Sequence, residues 1–203
     1  MNREISLVSV NVGGVALLGE RRGRKVYSGI LKSPVLGQSH LWLGPEGLTG
    51  DQQEDKRMSD GKRIHGGPLK AVYAYPRSHY ALWADELDQA LLPGMFGENI
   101  TVDDILEGDV LIGEVWKWGD ALLEVTSYRR PCFKLDMLRG EGTARAMMSN
   151  NRCGWYFKVL RPGEVPTTGS LHVVHRPTSG TTILESFQAK VRREPTVPDL
   201  PDD

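Results

Sequence analysis

Between Gly97 and Lys134, short apolar runs alternate with turn residues, a spacing that suits strands. Gly97-Glu98-Asn99-Ile100-Thr101 opens the stretch. Val110-Leu111-Ile112-Gly113, Val115-Trp116-Lys117-Trp118 and Leu122-Leu123-Glu124-Val125-Thr126 follow as three closely spaced strands. Short strands separated by Gly/Asp turns predict a β-barrel or a β-sandwich. The stretch ends on Tyr128-Arg129-Arg130-Pro131-Cys132-Phe133-Lys134, a cysteine behind a proline and among three cations. A cationic neighbourhood favours the thiolate, the form that binds metal or attacks sulfur. Pro131 fixes its own φ and pushes Arg130 towards extended geometry, so the loop carrying Cys132 is expected to be stiff.

Further β signal precedes and follows this stretch. Ile5 to Val12 alternates and is rich in β-branched residues, and Gly13-Gly14 ends it. Arg24 to Ile30 reads as a second strand, Ala71 to Tyr75 as another, and Phe96 to Val102 as a turn into a strand. Gly154 to Leu160 and Gly169 to Val174 complete the set. The clearest helix runs from Ser78, a plausible N-cap, to Leu92, stopped by Pro93-Gly94. Lys134 to Asn150 reads as one or two short helices, and Ser186 to Arg193 as a short helix or strand. Gln52 to Lys62, almost all polar, is expected to be a mobile surface loop. The proline-rich acidic tail from Glu194 is expected to be disordered or extended.

Composition narrows the function classes. The 203 residues suit one domain with a core of its own, and 39% apolar with 25% charged residues is ordinary for a soluble chain. A net charge of −1 gives no global pull towards nucleic acid or an anionic membrane. No apolar stretch reaches the length of a membrane span, and the N-terminus runs straight into strand-like sequence without a secretory signal. Cys132 and Cys153 are the two cysteines, too few for a disulfide framework, so a reducing cytoplasm is the simplest home. Zinc spacings, G-x-G-x-x-G, the P-loop motif and the G-x-S-x-G elbow are all missing. Cys153, beside Gly154-Trp155-Tyr156, reads as packing at a strand start, whereas the cations around Cys132 argue against a buried, inert thiol.

Other segments carry candidate binding groups. Lys32, in Lys32-Ser33-Pro34-Val35, is a point charge suited to phosphate. Gly44 to Asp51 is glycine-rich and permits close backbone approach to a ligand. Gly66 and Gly67 follow His65 and can expose backbone N–H groups as an anion-binding nest. Asn99 offers donors and an acceptor to a heterocycle edge, or closes a turn on its own backbone.

With His65-Gly66-Gly67-Pro68-Leu69-Lys70-Ala71-Val72-Tyr73-Ala74-Tyr75-Pro76 and Gly47-Leu48-Thr49-Gly50-Asp51-Gln52, these motifs resemble the MOSC family, named for the C-terminal domain of molybdenum-cofactor sulfurase. The match is closest to small bacterial stand-alone members of the N-hydroxylaminopurine reductase type. The resemblance runs from about Ser6 to about Val174. It implies a mostly β fold with flanking helices, a closed MOSC-type β-barrel over residues 1–180, and a C-terminal extension, partly disordered, over 181–203. It implies that Cys132 is the catalytic residue and the metal ligand of a molybdenum cofactor in the molybdopterin form. Lys32, Asp51, His65, Gly66, Gly67, Asn99, Arg129 and Arg130 are the residues it assigns to cofactor binding, with arginine favoured for bidentate phosphate contact. Pyridoxal phosphate is not expected. The implied activity is two-electron reduction of small N-hydroxylated substrates, hydroxylaminopurines and amidoximes, to amines. Without a dinucleotide signature, electrons are expected from an external donor protein. The alternative is a sulfur carrier or cofactor-handling protein that holds a persulfide on Cys132. No nucleic-acid or membrane partner is expected, and a homodimer is left open.

Overall fold

The computed structural model describes residues 3–53 and 66–198. Thirteen strands and four helices follow in chain order among the described residues. They begin with β1 (Arg3–Val12), β2 (Ala16–Arg21), β3 (Arg24–Ser28), β4 (Ser33–Pro34), β5 (His40–Gly44) and β6 (Gly47–Leu48). A 3-10 turn at Pro68–Lys70 leads to β7 (Val72–Pro76), α1 (Ser78–Leu87) and β8 (Ile100–Val102). Then come β9 (Val115–Trp118), β10 (Ala121–Tyr128), α2 (Phe133–Arg139), α3 (Thr143–Asn150) and β11 (Trp155–Arg161). β12 (Gly163–Pro166), β13 (Gly169–His175) and α4 (Ile183–Arg193) complete the order among the described residues.

Seven strands close a barrel in the order β13-β9-β10-β11-β7-β8-β1, with β1 pairing back to β13. Every pairing is antiparallel except β7 with β8. Alternation drives it: Ala121, Leu123 and Val125 of β10 and Leu171 and Val173 of β13 point inwards, as the two-residue period of a strand requires. The interior is filled by side chains, among them Trp116, Trp155 and Phe157, all fully buried. Trp116 meets the other two rings edge-on at 5.9 and 5.1 Å. Side chains pack the lumen, and the cavities described below are lined by residues of strand ends and loops.

β7 is buried along its whole length because both faces are covered. Val72 and Ala74 join the barrel core, while Tyr73 and Tyr75 pack outwards in a second core with Tyr80, Trp83, Phe96, Leu135 and Met147. α1, α2 and α3 supply that cover. α4 packs against the barrel through Ile183 and Phe187, and its start carries a capping box. Glu185 N–H donates to Thr182 Oγ1 at 3.1 Å and Thr182 N–H to the Glu185 carboxylate at 2.9 Å, worth about 1 kcal/mol to the helix start. Among the described residues, no helix is long and apolar enough to cross a membrane.

The structure corrects three local expectations. The first helix stops at Leu87, because Asp88 takes a left-handed conformation (φ 49°) and bonds back to Ala84 O. Its N-cap is Arg77 and not Ser78. Val110 to Gly113 is a turn and not a strand: Leu111 makes one isolated bridge to Thr182, and Glu114 takes the Leu111 N–H at 3.3 Å. His65 and the segment from Glu54 onwards, expected as a loop, lie outside the described residues.

Candidate functional site

β10 delivers the chain to the site. Its alternation ends at Tyr128, and Arg129-Arg130-Pro131 lead to Cys132, which stands extended (φ −137°, ψ 173°) at the start of α2. The next two residues anchor the loop on both sides. Phe133 N–H donates to Pro198 O at 3.1 Å, and Lys134 Nζ donates to Tyr27 O at 2.9 Å, on the hairpin made by β2 and β3. The Arg21 guanidinium of that hairpin lies 5.1 Å from the Phe133 ring centre. The stiffness expected of this loop therefore has packed partners as well as a proline.

The half-buried Cys132 thiol lines a cavity of about 110 Å³. Lys32, Gly66, Asn99, Arg129 and Arg130, drawn from four separate segments, line it too. Arg129 is the group that sets its character. It is 6% exposed, and its Nη1 donates to Met147 Sδ at 3.4 Å. Its guanidinium lies 5.5 Å from the Tyr73 ring centre and within electrostatic reach of Cys132. No carboxylate pairs with it among the described residues. A buried cation without a counter-charge is costly, and a bound anion removes that cost.

The other predicted residues divide by how their polar groups are engaged. Lys32 and Asp51 form a buried ion pair, with side chains 6% and 2% exposed. Burial pulls the Lys32 ammonium below its ordinary range, and the Asp51 carboxylate opposes that pull. Asp51 does not itself line the cavity; it accepts from Gly13 N–H at 3.0 Å and from Asn99 Nδ2 at 2.9 Å. Asn99 lines the cavity with its amide already engaged, because Oδ1 accepts from Tyr73 N–H at 3.0 Å. Gly66 (φ 68°) packs so closely on Gln53 that a Cβ would stand 1.7 Å from Gln53 Oε1. Gly67 N–H donates to that same oxygen at 2.9 Å, so the Gly66-Gly67 turn is fixed by a glutamine. Arg130 lines the cavity with its guanidinium tied to the tail: Nη1 pairs with the Glu194 carboxylate, Nη2 donates to Thr196 O at 3.0 Å, and Nε is buried without a partner among the described residues. Cys153 is fully buried, and burial pushes its thiol well up.

Lys70, Tyr73, Tyr156 and Gln53 line the cavity and were not singled out as site residues from the sequence. The Lys70 ammonium lies 5.7 Å from the Tyr156 ring centre, and burial lowers its pKa. Tyr73 stands 5.2 Å from Tyr156, ring centre to ring centre. Lys70 and Tyr73 fall inside the motif that begins at His65, which was the available signal. Tyr156 sits in an ordinary strand and carries none. Taken together, a reachable thiol stands beside a buried guanidinium and further ammonium groups, a setting for a soft metal or sulfur on one side and an anion on the other.

Known proteins share this fold. The profile of the MOSC domain matches residues 61–171. The chain is 37% identical over 163 residues to Protein YiiM of Escherichia coli (strain K12), covering 78% of this chain and 69% of that one. It is 30% identical over 179 residues to a protein named Reductase from Gibberella moniliformis, covering 83% of this chain but only 31% of that much longer protein. The crystal structure of YiiM from Geobacillus stearothermophilus superposes with a TM-score of 0.73 at 27% identity, over 93% of this chain and 85% of that one. A profile match over more than half of the residues, joined to this degree of identity and a shared barrel, makes the chain a member of the MOSC domain family.

Proposed function

We propose that the cavity beside Cys132 holds a molybdenum cofactor of the molybdopterin form and that the protein reduces small N-hydroxylated compounds to amines. The observation that carries this reading is Arg129, a buried cation with no carboxylate partner among the described residues, in the same cavity as the Cys132 thiol. The donor set fits the group. Among the described residues no cluster of three His, Cys, Asp or Glu side chains could hold a bare metal ion, so one thiolate suits a metal that arrives with its own dithiolene ligands. The cofactor's phosphate meets the demand that Arg129 makes, with Lys32 as a further cation on the cavity wall. Names of relatives agree in kind, since one similar protein is called a reductase.

When bound, the cofactor supplies a two-electron centre able to take oxygen from a weak N–O bond. The chain's own residues do the rest. Cys132 offers its sulfur as a ligand at a fixed place, because the loop is tied through Phe133 and Lys134. Arg129 provides positive charge that needs no reorganisation, in surroundings where it acts strongly. Tyr73 and Tyr156 exclude water from its guanidinium. The overall change is R–NH–OH plus two electrons and two protons to R–NH2 and water. The electrons come from an external donor protein, since the sequence has no nucleotide-binding motif.

The test uses protein made in a cofactor-competent host. Stoichiometric molybdenum is expected, together with amidine formed anaerobically from an amidoxime, or amine from a hydroxylaminopurine, with a reduced viologen dye. Persulfide on Cys132 without metal, and no amidine or amine above a metal-free control, would replace this reading with sulfur carriage.

A further inference from the structure

Cys132 lines two cavities. A second cavity, of about 360 Å³, shares Lys70, Arg130, Cys132 and Tyr156 with the first. Its other walls are Ser127, Tyr128 and Pro198. Cofactor binding as proposed above uses the first cavity and leaves this one unexplained.

The second cavity owes one wall to the end of the chain. Residues 194–198 were expected to be disordered or extended, and they form an extended strap across the cysteine loop. Arg130 holds it at three points: the Glu194 carboxylate, Glu194 O at 3.2 Å and Thr196 O at 3.0 Å. Phe133 N–H holds it again at Pro198 O, 3.1 Å away. Val197 packs against both hydrophobic cores, and Lys190 of α4 bonds Glu194 at 2.5 Å. The strap is thus fastened to residues on both sides of Cys132. The Tyr128 ring is fixed from behind by Phe187 of α4, 5.3 Å away.

We infer that this second cavity is the substrate chamber, that it takes a flat, uncharged arene bearing the N-hydroxyl group, and that the 194–198 strap is its outer wall. The inference rests on the reductase reading for what happens to the ligand, but the chamber itself rests on geometry alone. Two phenol rings and a proline form walls that suit a planar apolar ring better than an alkyl chain or a charged group. The charge of Arg130 is already answered by Glu194. The Lys70 ammonium lies against the Tyr156 ring. A ring placed here stands beside Cys132 in a cavity that Arg129 does not line. Arg130 is then a positioning residue that clasps the wall, and a cofactor phosphate is left to Arg129 and Lys32.

Three chains test this: the full chain, one ending at Pro198, and one ending at Arg193. Arg130→Met in the full chain removes the clasp without shortening anything and covers the case in which the shortest chain misfolds. The first readout needs neither metal nor turnover. Alkylation of Cys132 in metal-free protein is timed with iodoacetamide and with the bulky N-(1-pyrenyl)maleimide, with and without benzamide as a non-reducible flat ligand. Loss of the strap or of its clasp is expected to speed the bulky reagent at least tenfold relative to the small one. It is also expected to abolish protection by benzamide, while the chain ending at Pro198 behaves as the full chain. The second readout is KM on loaded protein, expected to rise about tenfold for benzamidoxime and to stay level for acetamidoxime. Equal alkylation and protection in all four proteins overturns the chamber even if wild type reduces amidoximes well. Strap-dependent protection in a protein that reduces nothing upholds the chamber as an arene site and rejects the reductase reading.

Discussion

Asn99 Nδ2 donates to Asp51 Oδ2 at 2.9 Å across 48 residues of sequence, and the other Asp51 oxygen holds Lys32 and the Gly13 N–H. One buried carboxylate therefore holds two residues of the cavity wall, Lys32 and Asn99, while lining none of it. Without Asp51, Lys32 is a buried ammonium that has lost its paired carboxylate, and Asn99 loses a partner on its amide.

That arrangement makes Asp51→Asn strongly destabilising. Breaking a buried pair by removing one partner costs about 3 kcal/mol, which is a fall of roughly 10 °C in Tm for a chain of this size. Asp51→Asn combined with Lys32→Met is expected to recover much of the loss, because no unpaired charge remains. Thermal unfolding of the two variants and the wild type decides it. A double variant no better than Asp51→Asn would show that Lys32 is not the group that suffers.

The two cysteines are expected to behave differently. Cys132 is reachable from a cavity, and Cys153 is fully buried with its thiol pushed up by burial. In native protein one thiol is expected to react quickly with a disulfide reagent, and the second only after unfolding. Cys132→Ser is expected to lose molybdenum and activity with the fold intact, while Cys153→Ser keeps both. Equal molybdenum in wild type and Cys132→Ser, measured by elemental analysis, would sink the ligand assignment.

Much of this was legible in the sequence, and the exceptions share a cause. The strand alternation of β10, the turn at Gly97 and the stiff Arg-Pro-Cys loop all follow from local chemistry, so they could be read. Strand β3 could be read too, but its hairpin partner β2 could not, because Gly13-Gly14 reads as a stop and Gly19 interrupts the pattern at a bulge. Asn99 and Asp51 carry the right atoms for a ligand site, yet the same atoms serve equally as internal staples, and only their partners separate the two roles. Arg130 looked like a phosphate residue by type and position. Its partners lie in the tail, 64 to 66 residues away, where sequence gives no hint of contact.

Glu98 gives the fold a pH signature. It is fully buried at the turn before β8 and accepts from Tyr80 Oη, Thr101 Oγ1 at 2.8 Å, Gly94 N–H at 2.8 Å and Phe96 N–H at 3.2 Å. Burial raises its carboxyl above the ordinary 4.5, with those hydrogen bonds opposing the rise. A raised carboxyl pKa means that the folded state holds a proton that the unfolded state has released. The stability this provides is complete below pH 4.5 and is lost as pH rises through the folded-state value. Glu98→Gln removes that slope. Its Tm relative to wild type is therefore expected to climb as pH rises from 4.5 towards neutrality, whatever the offset between them at acid pH. Parallel Tm curves across that range would show that Glu98 does not titrate differently in the folded protein.

Arg129 brings stability and function into opposition. In the metal-free protein its guanidinium is 6% exposed, faces tyrosine rings and a methionine sulfur, and has no carboxylate partner among the described residues. A charge so placed costs free energy, and a site tolerates it when a ligand supplies the counter-charge. Arg129→Met keeps the length of the side chain and removes the charge. The metal-free variant is expected to be more stable than wild type by on the order of 1 kcal/mol, while its molybdenum content after expression in a cofactor-competent host falls below about a tenth of wild type. Both measurements are needed, because a residue that only packs the second core would lower Tm when replaced and leave metal content alone. Higher Tm with lost metal identifies Arg129 as a group kept for an anion, and lower Tm with metal retained would move the anion site elsewhere on the cavity wall.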